Sequence, residues 1–490
     1  MGALERGRFA EEMMLDLTDC CGSGPESEPA SAHNHHKSTI ERSVKVLLQG
    51  LGEDGEREGI RRTPLRVAKA FAQGTRGYRQ KVREIVQGAL FPEAGLDNGA
   101  GYAGGDGGLV VVRDIDLFSY CESCLLPFSV QCHVGYVPSG QRVLGLSKLS
   151  RVADVFAKRL QEPQRLANEI CAALQNSINP AGVAVALNCW HIEFLAALQC
   201  NPNPRHPSIH GMQGWLCTSV CSSSGVFKQD GSSSFWDDFV ALLKFRGVNL
   251  ELEPPIQPWC PSRSLELPQC NGNSTGSISN GRLSSKTVVT QSDMISAVAL
   301  ILESLGEDPL REELIGTPYR YVQWLLNFKR SILEPKQNGC NLSGLSSHMR
   351  IGGGVSNSPD EIHSELNLPF CSQCEHHLLP FYGVVHVAYF GGEEGEAIER
   401  AFLQSIVHSY GCKLQLQEKM TRQIAEAIFS VLSKGVMVVV EASHICMISR
   451  GIEKVGSSTA TIALLGQFAN DSIAKASFFQ TISKSTALGG

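Results

Sequence analysis

The chain has 490 residues, of which 42% are hydrophobic and 19% charged, ordinary values for a protein that buries true cores. Its net charge of −6 argues against a general nucleic-acid or anionic-membrane binder, though a local basic pocket remains compatible with it. No run of about 18 apolar residues occurs, so no membrane span is expected. Met1-Gly2-Ala3-Leu4-Glu5-Arg6 has neither a signal-peptide core nor the Ser/Thr of a myristoylation site, which makes the cytoplasm the expected location. The 17 cysteines are odd in number and too dilute for a disulfide scaffold, so reduced thiols are expected.

Residues 1–38, with His33, His35 and His36, read as a polar tail. An internal repeat follows. Leu51-Gly52-Glu53-Asp54 returns as Leu305-Gly306-Glu307-Asp308, an offset of 254. Arg57-Glu58 and Thr63-Pro64-Leu65-Arg66 return in the same register as Arg311-Glu312 and Thr317-Pro318-Tyr319-Arg320. Cys121-Glu122 matches Cys374-Glu375, and His191 matches His444, at an offset of 253. Register kept over so long a span means duplication of a whole domain, since solenoid repeats have far shorter periods. The expected domains are 39–250 and 290–490, joined by a linker at 251–289 that is rich in Pro, Ser, Asn and Gly.

Each copy opens with an amphipathic helix, carrying Ile40, Val44, Leu47, Leu48 and Leu51 in the first and Ile295, Val298, Leu302 and Leu305 in the second. Thr-Pro-x-Arg then starts another helix, with Thr expected as N-cap and Pro at the first helical position. Residues 101–108 are Gly-rich without a Gly-Lys-Ser/Thr ending, hence a loop rather than a nucleotide cradle. Strand patterns run over Leu109–Val112, Val183–Leu187, Val384–Phe390 and Val436–Val440, and longer helices over Val152–Leu174 and Ile406–Leu432. Helices with a mostly antiparallel sheet, rather than βαβ alternation, make an α+β fold.

The chemistry is concentrated in Cys374-Glu375-His376-His377 and His444-Ile445-Cys446. Thiolate and imidazole suit zinc, and three protein ligands plus an open position define a catalytic site. Cys374 and His377 are close enough in sequence to grip one ion. His444 and Cys446, two apart in a strand, would leave the same face, so Cys446 completes the set. His376 and His444 are then free to carry protons. A zinc ribbon would need a second Cys-x-x-Cys at suitable spacing, and the Pro-Cys-x-x-Cys of zinc deaminases is absent.

Cys-Glu-His-His, then His-x-Cys with Arg450 four residues on, together with Ser147-Lys148-Leu149-Ser150-Arg151, resemble GTP cyclohydrolase I, and the tandem layout resembles its plant form. The resemblance covers nearly everything but the tail and linker. It implies two tunnelling-fold domains, each an antiparallel sheet with helices on one face, in a homo-oligomer with sites at domain or subunit junctions. It implies Zn2+ on Cys374, His377 and Cys446, and proton transfer by His376 and His444. Glu418, beside Gln417, would hold the guanine edge of GTP. Arg450, Ser147, Lys148, Arg151, Arg66 and Arg320 complete the expected substrate contacts. The implied reaction opens the guanine five-membered ring to give formate and 7,8-dihydroneopterin triphosphate, which feeds folate synthesis. A non-catalytic scaffold and a zinc hydrolase acting on another nucleotide stand as alternatives.

The copies diverge in opposite directions. In the first, Ser123 and Cys124 stand at His376 and His377, Glu193 at Cys446, Ala197 at Arg450 and Gln164 at Glu418. Cys121, Cys124 and Glu193 still form a set that carboxylate ligation permits, but about one zinc per chain, in the second copy, is the expectation. The second copy reads Arg400-Ala401-Phe402-Leu403-Gln404-Ser405 where the first keeps Ser147, Lys148 and Arg151, cations suited to a triphosphate. Zinc chemistry from one copy and phosphate grip from its neighbour would account for both losses.

Overall fold

The computed structural model describes residues 30–92, 108–139, 142–192, 215–228, 234–250, 259–264, 289–330, 362–391, 397–452 and 457–488. The first copy contains helices α1 (Ala30–Gly50) and α2 (Thr63–Gly74), strands β1 (Val110–Cys121) and β2 (Pro127–Val137), helix α3 (Leu146–Ala157), the short strand β3 (Leu160–Gln161), helix α4 (Pro163–Ile178), strands β4 (Gly182–Ile192) and β5 (Trp215–Gly225), and helix α5 (Ser234–Lys244). The second repeats the plan with α6 (Gln291–Ser304), α7 (Thr317–Arg330), β6 (Ile362–Cys374), β7 (Pro380–Phe390), α8 (Arg400–Gly411), β8 (Leu414–Gln415), α9 (Gln417–Leu432), β9 (Gly435–His444), β10 (Thr459–Gly466) and α10 (Ser472–Leu488). Helix α1 begins inside the stretch expected to be tail. The Gly-rich stretch 101–107 lies outside the described residues.

Each copy holds one five-stranded sheet, ordered β3-β1-β2-β4-β5 and β8-β6-β7-β9-β10. All pairings are antiparallel except that of the two-residue edge strands β3 and β8 with β1 and β6. Those edge strands interrupt the long helices expected over 152–174 and 406–432. Pro163 lacks an N–H and opens α4 in its first turn, where none is needed. Glu162 caps that helix by accepting from Arg165 N at 3.0 Å.

Strand alternation decides which face each helix covers. Val183, Val185, Leu187 and Cys189 of β4 point into the main core with α3 and α4, whereas Ala184 and Ala186 point the other way, onto Phe239 and Leu243 of α5. In the second copy Val436, Val438 and Val440 join the main core, while Met437 and Val439 meet Ala474, Phe478 and Ile482. Those last three residues recur every four positions and form one stripe of α10. The paired helices lie on one face as expected, and each sheet additionally carries one later helix on the other.

The duplication extends to irregular backbone. Asp114 and Asn367 both have φ 56° at a β-bulge, and beneath each a buried histidine (His133, His386) accepts the residue's backbone N–H at Nδ1, at 3.2 and 3.3 Å. These features sit 253 residues apart, in the register of the sequence repeat.

The two copies are packed against each other. Helix α1 buries Ile40, Val44, Leu47, Leu48 and Leu51, the stripe expected from sequence. Helix α6 buries Met294, Ala297, Val298, Ile301 and Leu302, so its face is rotated and Ile295 and Leu305 lie at its margin. Met294 comes so close to Gly50 that a Cβ there would overlap its side chain.

Thr63 does not cap its own helix: no side-chain cap bond forms, and its hydroxyl donates to the Glu375 carbonyl of the second copy at 2.5 Å. Thr317 donates in the same way to Glu122 of the first copy, also at 2.5 Å. Both hydroxyls are buried. Thr63→Val and Thr317→Val keep shape but deprive a buried carbonyl of its donor, at a cost of about 1–3 kcal/mol each. Urea unfolding of the full chain measures it, and unchanged midpoints in both variants would mean that these bonds do not hold the copies together.

Candidate metal centre and active site

The centre of the second copy begins where β6 ends at Cys374. The chain reverses over the next four residues, with Leu378 at φ 55° and its N–H donated to Cys374 O at 3.0 Å. A leucine in that left-handed region costs roughly 1–2 kcal/mol. The reversal folds His377 back so that its Nδ1 lies 3.9 Å from Cys374 Sγ. The third side chain arrives from β9, but not as the sequence pattern suggested. The strand ends at His444, and Cys446 sits in the one-turn helix Ile445–Ile448. Its approach is therefore set by that turn, with Arg450 Nε donating to Cys446 O at 2.6 Å.

The ligand atoms of Cys374, His377 and Cys446 all lie within 4.8 Å of one another, and all three side chains are buried. Tetrahedral zinc with Zn–S bonds near 2.3 Å separates its ligands by about 3.8 Å, so the group fits one ion after minor contraction. A hydrogen bond from Cys446 is the main cause holding the Cys374 thiol well below its ordinary pKa. The same bond raises that of Cys446. A bound cation would remove the need for that shared proton.

His444 is held at both faces of its role. Its ring stacks on Phe381, its cross-strand partner, at 4.7 Å and 5° between planes. Its Nε2 meets Gln417 Oε1 at 2.8 Å. Gln417 Nε2 donates to the carbonyls of Val440 and Thr459, which fixes the amide's orientation. Its oxygen must therefore accept, so His444 carries a proton on Nε2, and the ring also hydrogen-bonds to the Cys374 thiol. Gln417 is buried, whereas Glu418 beside it is exposed in the first turn of α9. His376 is half-buried, and burial lowers its pKa.

The remaining expected residues divide by location. Arg66, on α2 of the first copy, acts electrostatically on His376 of the second. Arg320, on α7, acts reciprocally on Cys121 and Cys124 of the first. The Thr-Pro-x-Arg segments are thus exchanged between the copies. Ser147, Lys148 and Arg151 lie in the first two turns of α3, the first and last exposed and Lys148 half-buried. Arg400, at the matching helix start, is engaged by Glu365 Oε2 and Leu366 O at 2.8 Å each.

The first copy repeats the reversal, with Leu125 at φ 58° and Leu125 N donating to Cys121 O at 2.8 Å. Around it stand Cys121, Cys124, His191 and, unforeseen from the sequence, Cys260 of the connector, their ligand atoms within 4.8 Å of one another. Glu193 and Ala197 lie outside the described residues. Gln164 Nε2 is bound to Asn168 Oδ1 and Cys221 O, each at 3.0 Å.

Sequence reasoning also missed a pair of clamps. Glu375 is buried and receives Arg57 Nη1 of the first copy at 2.5 Å, while its carboxylate seats so closely on Gly59 that a Cβ there would overlap it. Glu122 is buried beneath Arg165 at 2.9 Å, Arg311 at 3.2 Å and Arg263 at 3.8 Å. The signal was present in the repeated Arg57-Glu58 and Arg311-Glu312, read only as a marker of duplication.

The sequence profile of GTP cyclohydrolase I matches residues 40–195 and 294–483, more than half of the chain and once in each copy. The chain belongs to the GTP cyclohydrolase I family. It is 53% identical over 494 residues to the GTP cyclohydrolase 1 of Solanum lycopersicum, with all of both chains covered. It is 51% identical to that of Arabidopsis thaliana, covering 100% of this chain and 98% of the other. The GTP cyclohydrolase 1 of Dictyostelium discoideum, 41% identical, spans 45% of this chain and is itself covered to 84%. The plant relatives share the tandem length of this family member, whereas the third aligns with less than half of it.

Metal analysis separates the roles in this centre. Cys374→Ala and Cys446→Ala are expected to lose its metal, and His376→Ala to retain it. Loss of that metal from the His376→Ala protein would make His376 a ligand instead of a free base.

Proposed function

We propose that the chain is a zinc-dependent GTP cyclohydrolase I, converting GTP and water to formate and 7,8-dihydroneopterin triphosphate for folate biosynthesis. The observation that carries this reading is the buried Cys374, His377 and Cys446 group beside a histidine whose ring Gln417 holds in place, in a chain of that family. The Lewis acidity that zinc supplies when bound makes water a competent nucleophile at neutral pH. The rest is the work of the chain's own side chains.

Glu418, exposed in the first turn of α9, accepts the two N–H groups of the guanine edge. Gln417 is a positioning residue, since it holds the ring of His444 and the proton on Nε2. His444 Nδ1 and the half-buried imidazole of His376 move protons to and from the guanine nitrogens while the C8–N9 and C8–N7 bonds break and C8 leaves as formate. The freed N7 amine then condenses with a carbonyl of the rearranged ribose chain and expels one of the two waters consumed in releasing formate, so that one water is used overall and no oxidant is needed.

Lys148, Arg151 and Ser147 grip the triphosphate, with Arg66 supplying positive charge from the first copy and Arg450 from the second. Ser147 and Arg151 face solvent in α3, which suits a site completed by the neighbouring copy or chain of a homo-oligomer.

Purified protein with GTP should release formate and yield a fluorescent pterin after oxidation; failure of both with metal bound would refute the assignment. His376→Ala and His444→Ala should lower turnover about 10²–10⁴-fold with the metal retained. Lys148→Ala and Arg151→Ala should raise KM for GTP by about ten- to a hundredfold, because charge-assisted phosphate contacts contribute roughly 1.5–3 kcal/mol. An unchanged KM in both would remove the first copy from triphosphate binding.

A further inference from the structure

We propose that the first copy carries a second metal site, a closed structural zinc centre of Cys121, Cys124, His191 and Cys260, in which the connector supplies the fourth ligand. The four side chains come from three separate segments: the β1–β2 reversal, the end of β4, and residues 259–264 between the domains. Their ligand atoms lie within 4.8 Å of one another, and their exposures are 1%, 1%, 1% and 0%. Three thiols and an imidazole have no packing reason to converge in this way, whereas Cys3His is a standard closed zinc set.

The histidine is oriented as a ligand. His191 Nδ1 lies 2.9 Å from the Ile192 carbonyl, which can only accept, so the ring proton is on Nδ1. Nε2, the nitrogen that would bind the ion, faces Cys124 Sγ at 3.3 Å. An N–H donated to a backbone carbonyl with the opposite nitrogen on the metal is the usual outer arrangement of a zinc histidine. Its counterpart His444 has the proton on the other nitrogen.

The connector is seated, not merely nearby. Trp259 packs edge-on to His191 at 5.5 Å and Phe128 at 5.3 Å. Ser262 Oγ lies 2.9 Å from Cys260 Sγ, placed to donate to a thiolate. Arg263 Nε donates at 2.8 Å to Ser123, the residue that replaces the second copy's His376. Zinc with three thiolates has a net charge of −1 and forms with release of three protons to solvent. Arg263 and Arg320 stand beside these groups to balance it. With four protein ligands no position remains for water, so this centre braces the connector and does no hydrolysis.

The test is metal stoichiometry and cobalt spectroscopy on the full chain. Wild-type protein should hold about two zinc ions, and Cys374→Ser, which empties the catalytic centre, about one. Co2+ in that Cys374→Ser protein should show the intense visible bands and thiolate charge transfer of a four-coordinate sulfur-rich site. Cys374→Ser/Cys260→Ser should lose both the metal and the bands. If the double variant folds poorly, Cys374→Ser/Ser262→Ala, which keeps all four ligands, should still show the bands. The inference is overturned if Cys374→Ser holds no metal, if Cys374→Ser/Cys260→Ser leaves the bands intact, or if two of the three cysteines resist alkylation as a disulfide. None of these readings depends on turnover of GTP, so the assignment of the reaction stands or falls separately.

Discussion

Two buried glutamates hold the halves of this protein in register. Glu375 and Glu122 follow the first cysteine of each reversal; each carboxylate meets an arginine of the opposite copy, and each backbone carbonyl accepts a threonine hydroxyl from it. A carboxylate taken out of water is tolerated only when paired and hydrogen-bonded. Neither reversal is therefore complete within its own domain. The same exchange sets the charge of Arg66 in the first copy against His376, beside the second copy's Cys374, His377 and Cys446.

The two reversals share one backbone although their ligands differ. Leu125 and Leu378 keep the same left-handed backbone, 58° and 55°, although Cys124 faces one interior and His377 the other. What each copy does with the turn is decided by side chains that approach from elsewhere. His191 and His444 occupy equivalent strand ends, but one gives its Nδ1 proton to a carbonyl and the other gives its Nε2 proton to Gln417. The two rings are therefore turned differently, each by the one acceptor that holds its proton.

Much of this was legible in the sequence, because the relevant signals were local or repeated. The apolar stripe of α1, the cores of four strands and the duplication follow from periodicity and spacing, and so does the nearness of Cys374 and His377, whereas Cys446 arrives by a helical turn that strand spacing did not foresee. What escaped was whatever depends on distant chain. Thr63 has the sequence of an N-cap, yet its hydroxyl finds a better acceptor 312 residues away. Val152–Leu174 reads as one helix, but the edge pairing of Leu160 and Gln161 with β1 and the start of a new helix at Pro163 divide it. Cys260 lies in a segment of linker composition. A tryptophan and a cysteine side by side in a stretch otherwise poor in large apolar residues were the one sign that it packs.

Joining two copies in one gene also frees them from a constraint that binds every ring of identical subunits. There, a substitution at an interface is repeated at each junction, and a change useful at one is imposed on all. Here the two clamps are inherited separately, and they have already drifted apart. Glu375 keeps one close arginine of the opposite copy, at 2.5 Å, whereas Glu122 has gathered three from three parts of the chain. Selection can therefore stiffen one junction and leave the other pliable, a freedom that symmetry denies to a homomer.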